Sequence, residues 1–376
     1  MEPVRLGQGH TTWTNDKERS NVKTSRVALG AVAIAGMALA AVPGISSASG
    51  QPTKVKPIKP YDHIIEIMME NTSYATIIGN TNAPFLNSLA TSYGLASNYY
   101  GVTHPSEPNY VASIGGDYFG IQDDNQFYCT PALAATDPTC TGTTVNHTVS
   151  SQSLADQLTA AGKTWKGYFQ SLPPTPPAGT LVSSGVNANG PYTYKYPSST
   201  VALYASKHNP FVNFTGTQNS LANMVPDTQL GADLATNGLA NYSLIVPDQC
   251  HDMHGTGFCS DPTQLIQLGD TYVNQTVSTI MGSRTWKKGH NAIVVTFDED
   301  DFSDSGMPGT GCCGSTVGGG HVMTVVIDNK GYKPITDPTA YNHYSLLATM
   351  ETAFGLPLLN HAGDSAVPQM TTLFRP

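Results

Sequence analysis

Charge is scarce in this chain, and basic charge most of all. Only 12% of the residues are charged, with Lys+Arg 18 against Asp+Glu 27 for a net charge of −9. No basic stripe or cluster appears, which removes the electrostatic footprint needed for nucleic-acid binding. Cysteines number 6 and none stands in a CxxC pair, so zinc-ribbon and thioredoxin-type chemistry are disfavoured. The one strongly apolar run outside the body of the chain is Val27 to Val42, short for a membrane span. Lys17, Arg19, Lys23 and Arg26 precede it, and the small residues Ser46, Ser47 and Ala48 follow. Basic region, apolar region and small-residue cleavage site together read as a secretion signal over residues 1–48, with a start longer than such a leader needs. A retained N-terminal anchor is the alternative. Removing that leader leaves 13 basic and 24 acidic residues, a more acidic mature protein of −11.

The cysteines all lie beyond the leader, and an even number in an exported chain suits disulfides. Closeness in sequence suggests Cys129–Cys140 and Cys250–Cys259; the adjacent pair Cys312 and Cys313 is left open, because a vicinal bridge is strained.

Apolar strand-like runs recur after residue 60: His63 to Met69, Ser97 to Val102, Thr164 to Gln170, Tyr242 to Val246, Ala292 to Phe297 and Val322 to Ile327. Helical spacing separates them, over Phe85 to Tyr93, from Ser106 onward, Gln152 to Gly162, Leu230 to Asn237, Asp261 to Ile280 and Tyr344 to Phe354. Continuous apolar strands alternating with helices predict an α/β fold with a mostly parallel sheet covered on both faces. Residues 49–60 form a polar lead-in, and 61–376 a single domain with loop insertions near 121–150, 171–200 and 303–320. The second of these is long enough to be a substrate-side lid.

Polar clusters recur where strands end: Glu70-Asn71, Thr103-His104 with Ser106, Asp248 to His254, and Asp298-Glu299-Asp300-Asp301; His321 and His343 flank later elements. Parallel strands bring such ends to one edge, the usual ligand site of an α/β sheet. Oxygen donors from three strands with nearby imidazoles predict a divalent-metal site. Ser106 at a helix start is either a nucleophile or an N-cap.

The segments MENTSYATIIGNTNAPFLNSLA, THPSEPNY, PDQCHDMHG, VTFDED and YNHYSLL together resemble the phosphoesterase family of bacterial acid phosphatases and phospholipases C, in the alkaline-phosphatase-like superfamily, and most nearly its small secreted acid phosphatases. The resemblance runs through about Tyr61 to Pro357, and five motifs in order are more specific than any one. It implies that Glu70, Asn71, Ser106, Asp298 and Glu299 hold metal, with Ser106 as nucleophile, and that His251, His254 and His343 surround the phosphate. His254 or His343 would protonate the leaving alcohol, and helix N–H groups after Ser106 would receive a phosphoryl oxygen. The implied protein is a secreted, metal-dependent acid phosphatase that passes through a phosphoserine. Its cofactor would be calcium, magnesium, manganese, zinc or iron, and its substrate a phosphate ester or phospholipid headgroup. The alternatives are a phospholipase C-type phosphodiesterase and a non-catalytic exported binding protein. A sulfatase would need an Arg that the Ser106-Glu107-Pro108-Asn109-Tyr110 segment lacks.

Overall fold

The computed structural model describes residues 58–124, 147–172, 203–257, 259–302, 311–315, 318–331 and 333–374. The expected leader, Cys129, Cys140 and most of the expected lid lie outside them.

Among the described residues nine strands form one sheet: β1 (His63–Met69), β2 (Gly94–Tyr100), β3 (Trp165–Phe169), β4 (Met224–Pro226), β5 (Tyr242–Val246), β6 (Asn291–Phe297), β7 (His321–Asp328), β8 (Ile335–Asp337) and β9 (Tyr341–Asn342). Their order is β4-β3-β5-β1-β6-β7-β2-β8, with β9 also beside β2. Neighbours pair in parallel except β6–β7 and β7–β2. Two reversals restore the original sense, so β2 runs the same way as β6 and β1. The C-terminal ends of β5, β1, β6 and β2 therefore share one edge.

Central strands are β-branched and bury both faces: β6, Asn-Ala-Ile-Val-Val-Thr-Phe, has no exposed residue. Glu66 is the anomaly in β1, a fully buried acid whose Oε2 accepts from the Tyr242 hydroxyl at 2.8 Å.

The flanking helices are α1 (Tyr74–Ile77), α2 (Pro84–Ser92), α3 (Ser106–Gly115), α4 (Leu154–Ala160), α5 (Gln229–Thr236), α6 (Pro262–Gly282) and α7 (His343–Phe354). In α6, Asp261 caps through the Gln264 N–H and Pro262 occupies the first turn, where its missing donor costs nothing. Asp270 on the buried side of α6 accepts the Phe85 and Leu86 N–H groups, supplying α2 with the cap that Ala83 cannot.

Two disulfides lie among the described residues. Cys250–Cys259 is the pairing that closeness suggested, and the open question at Cys312 and Cys313 resolves as a vicinal bridge.

Candidate active site

β1 delivers Glu70 and Asn71 to the shared edge. There the Glu70 N–H donates to the Asp252 carbonyl at 2.8 Å, and the Thr72 N–H to the Glu299 carbonyl at 3.2 Å. Asn71 adopts φ 40°, and its N–H donates to Asp298 Oδ1 at 3.2 Å. The segments after β1, β5 and β6 are thus stitched together by backbone bonds. Gly318–Gly320 lies under the same corner. The Asp300 N–H donates to the Gly319 carbonyl at 2.8 Å, and a Cβ at Gly320 would collide with the Asp300 carboxylate. Part of the glycine-rich insertion therefore exists to let backbone approach the acidic segment.

Ser106 is the first residue of α3. Pro105 takes the N-cap position, and it is Asp124 Oδ1 that accepts the first-turn N–H of Glu107, at 3.0 Å, so the cap alternative for Ser106 is set aside. The Asn109 carboxamide accepts from the Val102 and Thr103 N–H groups and donates to the Thr103 carbonyl, fixing the loop that presents Ser106. Ser106 Oγ, almost wholly buried, lies 3.0 Å from Glu70 Oε2 and 3.1 Å from Glu299 Oε1. One hydroxyl proton serves one carboxylate at a time, so the other carboxyl must carry a proton to share the contact. Glu70 is the suited one: burial first, with Glu299 adding, pushes it up to about 8 against the pull of Lys207. Burial also raises Asp298, Asp252 and Glu299.

Behind Glu299 stands His104, its Nδ1 2.6 Å from Glu299 Oε2 and its Nε2 3.4 Å from Asp300 Oδ1. Burial works against its charge, but the Asp300 and Glu299 carboxylates outweigh that and hold it up at about 9. His104 is thus an imidazolium at neutral pH. Its claim from the sequence is weak, since a lone histidine is usually structural.

Lys207 and His208 were missed. They lie in a buried 3₁₀ turn, Ser206–His208. Lys207 Nζ is 2.9 Å from Asp124 Oδ2 and 3.4 Å from His254 Nε2. His208 Nε2 is 3.2 Å from Glu70 Oε1, off the line of a good hydrogen bond, and its ring stacks on Tyr110. Burial, then Lys207 and His254, pushes His208 well below its usual range, leaving it neutral. The available signal was a Lys-His pair leading into the apolar Asn-Pro-Phe-Val turn of a charge-poor chain.

The remaining expected residues separate. His254 is brought to Lys207, with Nδ1 2.8 Å from the Gly255 carbonyl; burial and Lys207 lower its pKa. His251 turns to Asp248, 2.8 Å from Nδ1 to Oδ1, with its side chain 33% exposed. His343 is gripped behind the acidic segment: its Nε2 donates to the Asp298 carbonyl at 2.7 Å, and its Nδ1 accepts from the Tyr99 hydroxyl at 3.1 Å. Burial lowers its pKa to about 4, so it stays neutral in that tautomer. His321 opens β7, stacked on Tyr74.

The expected cofactor must be corrected. Among the described residues no group of three or more His, Cys, Asp or Glu is placed to hold a metal ion. Part of the gathered oxygen set is engaged by other groups, Glu299 by Ser106 and His104 and Asp298 Oδ1 by the N–H groups of Asn71 and Glu299, whereas Glu70 Oε1, Asn71 Oδ1 and Asp298 Oδ2 are buried without a hydrogen-bond partner. This overturns the metal-dependent phosphatase and its divalent ion, whether calcium, magnesium, manganese, zinc or iron. Asn71, Asp298 and Glu299 are given roles below without one.

The structure thus brings a buried serine between two carboxylates, with a histidine behind, to the C-terminal edge of an α/β sheet. Residues 80–357 match the phosphoesterase family, and the chain belongs to that family. It is 30% identical over 336 residues to a phosphatidylinositol-3-phosphatase of Mycobacterium tuberculosis, covering 89% of this chain and 88% of that protein. To an acid phosphatase of Aspergillus fumigatus it is 28% identical over 329 residues, covering 84% of this chain but only 62% of the fungal protein. Among solved structures, a protein in the alkaline phosphatase superfamily from Vibrio parahaemolyticus aligns with TM-score 0.47 and 11% identity, over 85% of this chain and 76% of that one. Among the described residues no helix is long and apolar enough to cross a membrane.

Proposed function

We propose that the chain hydrolyses phosphoric esters in the manner of an acid phosphatase, with Ser106 as nucleophile. The observation that carries this is the position of Ser106 Oγ, 3.1 Å from Glu299 Oε1 while Glu299 Oε2 is paired with His104 at 2.6 Å. As Oγ bonds to phosphorus, its proton passes to Glu299, and the phosphorus–oxygen bond to the alcohol breaks. His104 stabilises the ionised Glu299 before transfer, and the buried Lys207 ammonium offsets charge on the phosphoryl oxygens. The departing alkoxide takes its proton from water, because burial and Lys207 disfavour the charged form of His254 and its Nδ1 faces the Gly255 carbonyl. Water then splits the bond between Ser106 and phosphorus. Asn71 and Asp298 position: their mutual bond holds the end of β1 against that of β6. The described disulfides support an exported protein.

Phosphate release should be measured from phenyl phosphate and phosphatidylinositol 3-phosphate, the latter being the ester class named for the mycobacterial relative, and phenol release from diphenyl phosphate. His104→Ala is expected to lower kcat by about 100-fold or more with a smaller change in KM, because the base loses its partner. A wild-type protein that cleaved none of these esters would remove the proposal.

A further inference from the structure

Among the described residues two large apolar side chains are exposed, Phe302 at 40% and Leu358 at 40%. A single exposed apolar residue needs no explanation by itself. Phe302, however, has φ 60°, a left-handed backbone that a bulky side chain seldom adopts. Its N–H donates to Asp300 Oδ1 at 3.0 Å, so the acidic segment itself holds it in that turn. The turn lays the Phe302 ring on His104, centroids 3.9 Å apart and planes 28° apart. His104 in turn is 2.6 Å from the carboxylate that receives the Ser106 proton. Strain kept beside a site calls for a use of the strained residue. Holding His104 does not require an aromatic ring, since Glu299 and Asp300 already grip both its nitrogens.

Resting on the phosphoric-ester reading above, we propose that Phe302 is a specificity-determining residue. Its open ring edge and face receive the alcohol portion of the substrate at the rim of the site, and the esters preferred are those of aromatic alcohols. A ring against a ring gains from both apolar burial and quadrupole alignment, which a polyol cannot match.

The test compares phenyl phosphate with glycerol 3-phosphate in wild type, Phe302→Ala, Phe302→Leu and Phe302→Trp. Phe302→Ala is expected to raise KM for phenyl phosphate about 10-fold while leaving KM for glycerol 3-phosphate within about twofold. Phe302→Trp should restore the preference and Phe302→Leu should restore it only in part. Inhibition by inorganic phosphate, which has no alcohol portion, should not change. Equal losses on both esters would make Phe302 a support for His104 and overturn the proposal, as would KM values that no variant shifts. A wild type inert towards both esters would instead strike the underlying reading. Thermal melts of the four proteins separate either result from misfolding.

Discussion

Ser106→Ala is expected to lower phosphate release by three orders of magnitude or more (~10³-fold), the scale on which loss of a nucleophile acts in hydrolases built as a unit. The substitution removes one oxygen from a buried site and leaves Glu70, Glu299 and His104 where they are. Its cost to stability should be modest, about 1–2 kcal/mol for the lost hydrogen bonding. That cost is softened because Ser106 is not the N-cap of α3, so the helix keeps its backbone start. Activity and thermal melting should therefore part company: turnover vanishes while the unfolding transition moves by only a few degrees. Retained turnover in a folded Ser106→Ala protein would assign the nucleophile to another group.

Glu66→Gln is expected to raise stability on the alkaline side by up to about 3 kcal/mol, and to flatten the pH dependence below it. Glu66 is buried in the middle of β1, and desolvation lifts its pKa from 4.5 to about 7, with the Tyr242 hydroxyl bond pulling the other way. An unfolded chain releases that proton near 4.5, whereas the folded protein keeps it to about 7. Between those values the folded state binds more protons than the unfolded, so stability contributed by this group falls as pH rises, and it levels off above about 7. Glutamine has the shape of the protonated acid, keeps an oxygen for Tyr242, and cannot ionise. Denaturant melts of both proteins at pH 4, 6 and 8 should coincide most nearly at the lowest value and diverge upward. Parallel stability curves would show that Glu66 keeps its ordinary pKa in the fold.

How far the sequence reached depended on how local each signal was. β5, Tyr242–Val246, carries five consecutive buried residues between turn formers, and its limits were legible to the residue. β2 was placed three residues late because Gly94 looks like a loop residue, yet it pairs with Val326 and Ile335 in the sheet. The reversal of β7 was invisible: a buried strand is apolar whichever way it runs, and its direction comes from connections made elsewhere. The gathering of Glu70, Ser106 and Glu299 was legible because each follows a strand of the same sense. Lys207 and His208 were not, because a short 3₁₀ turn has no periodicity to reveal what it carries. The metal expectation failed for a related reason. Composition shows which oxygens meet at an edge, but not that Glu299 will face His104 or that Asp298 Oδ1 will take two backbone N–H groups. For His343, helical position was readable, whereas the grip of Tyr99 and the Asp298 carbonyl on its two nitrogens was not.

The claim on which the rest depends is that the phosphoryl group passes through the Ser106 oxygen. Wild-type protein should be mixed with phenyl phosphate, quenched in acid within its first turnovers, digested and mapped by mass spectrometry. The account predicts a phosphoryl group on the peptide containing Ser106, absent in Ser106→Ala. A phosphoryl group on any other residue, or a wild type that releases phenol and phosphate while that peptide is never modified, would contradict it.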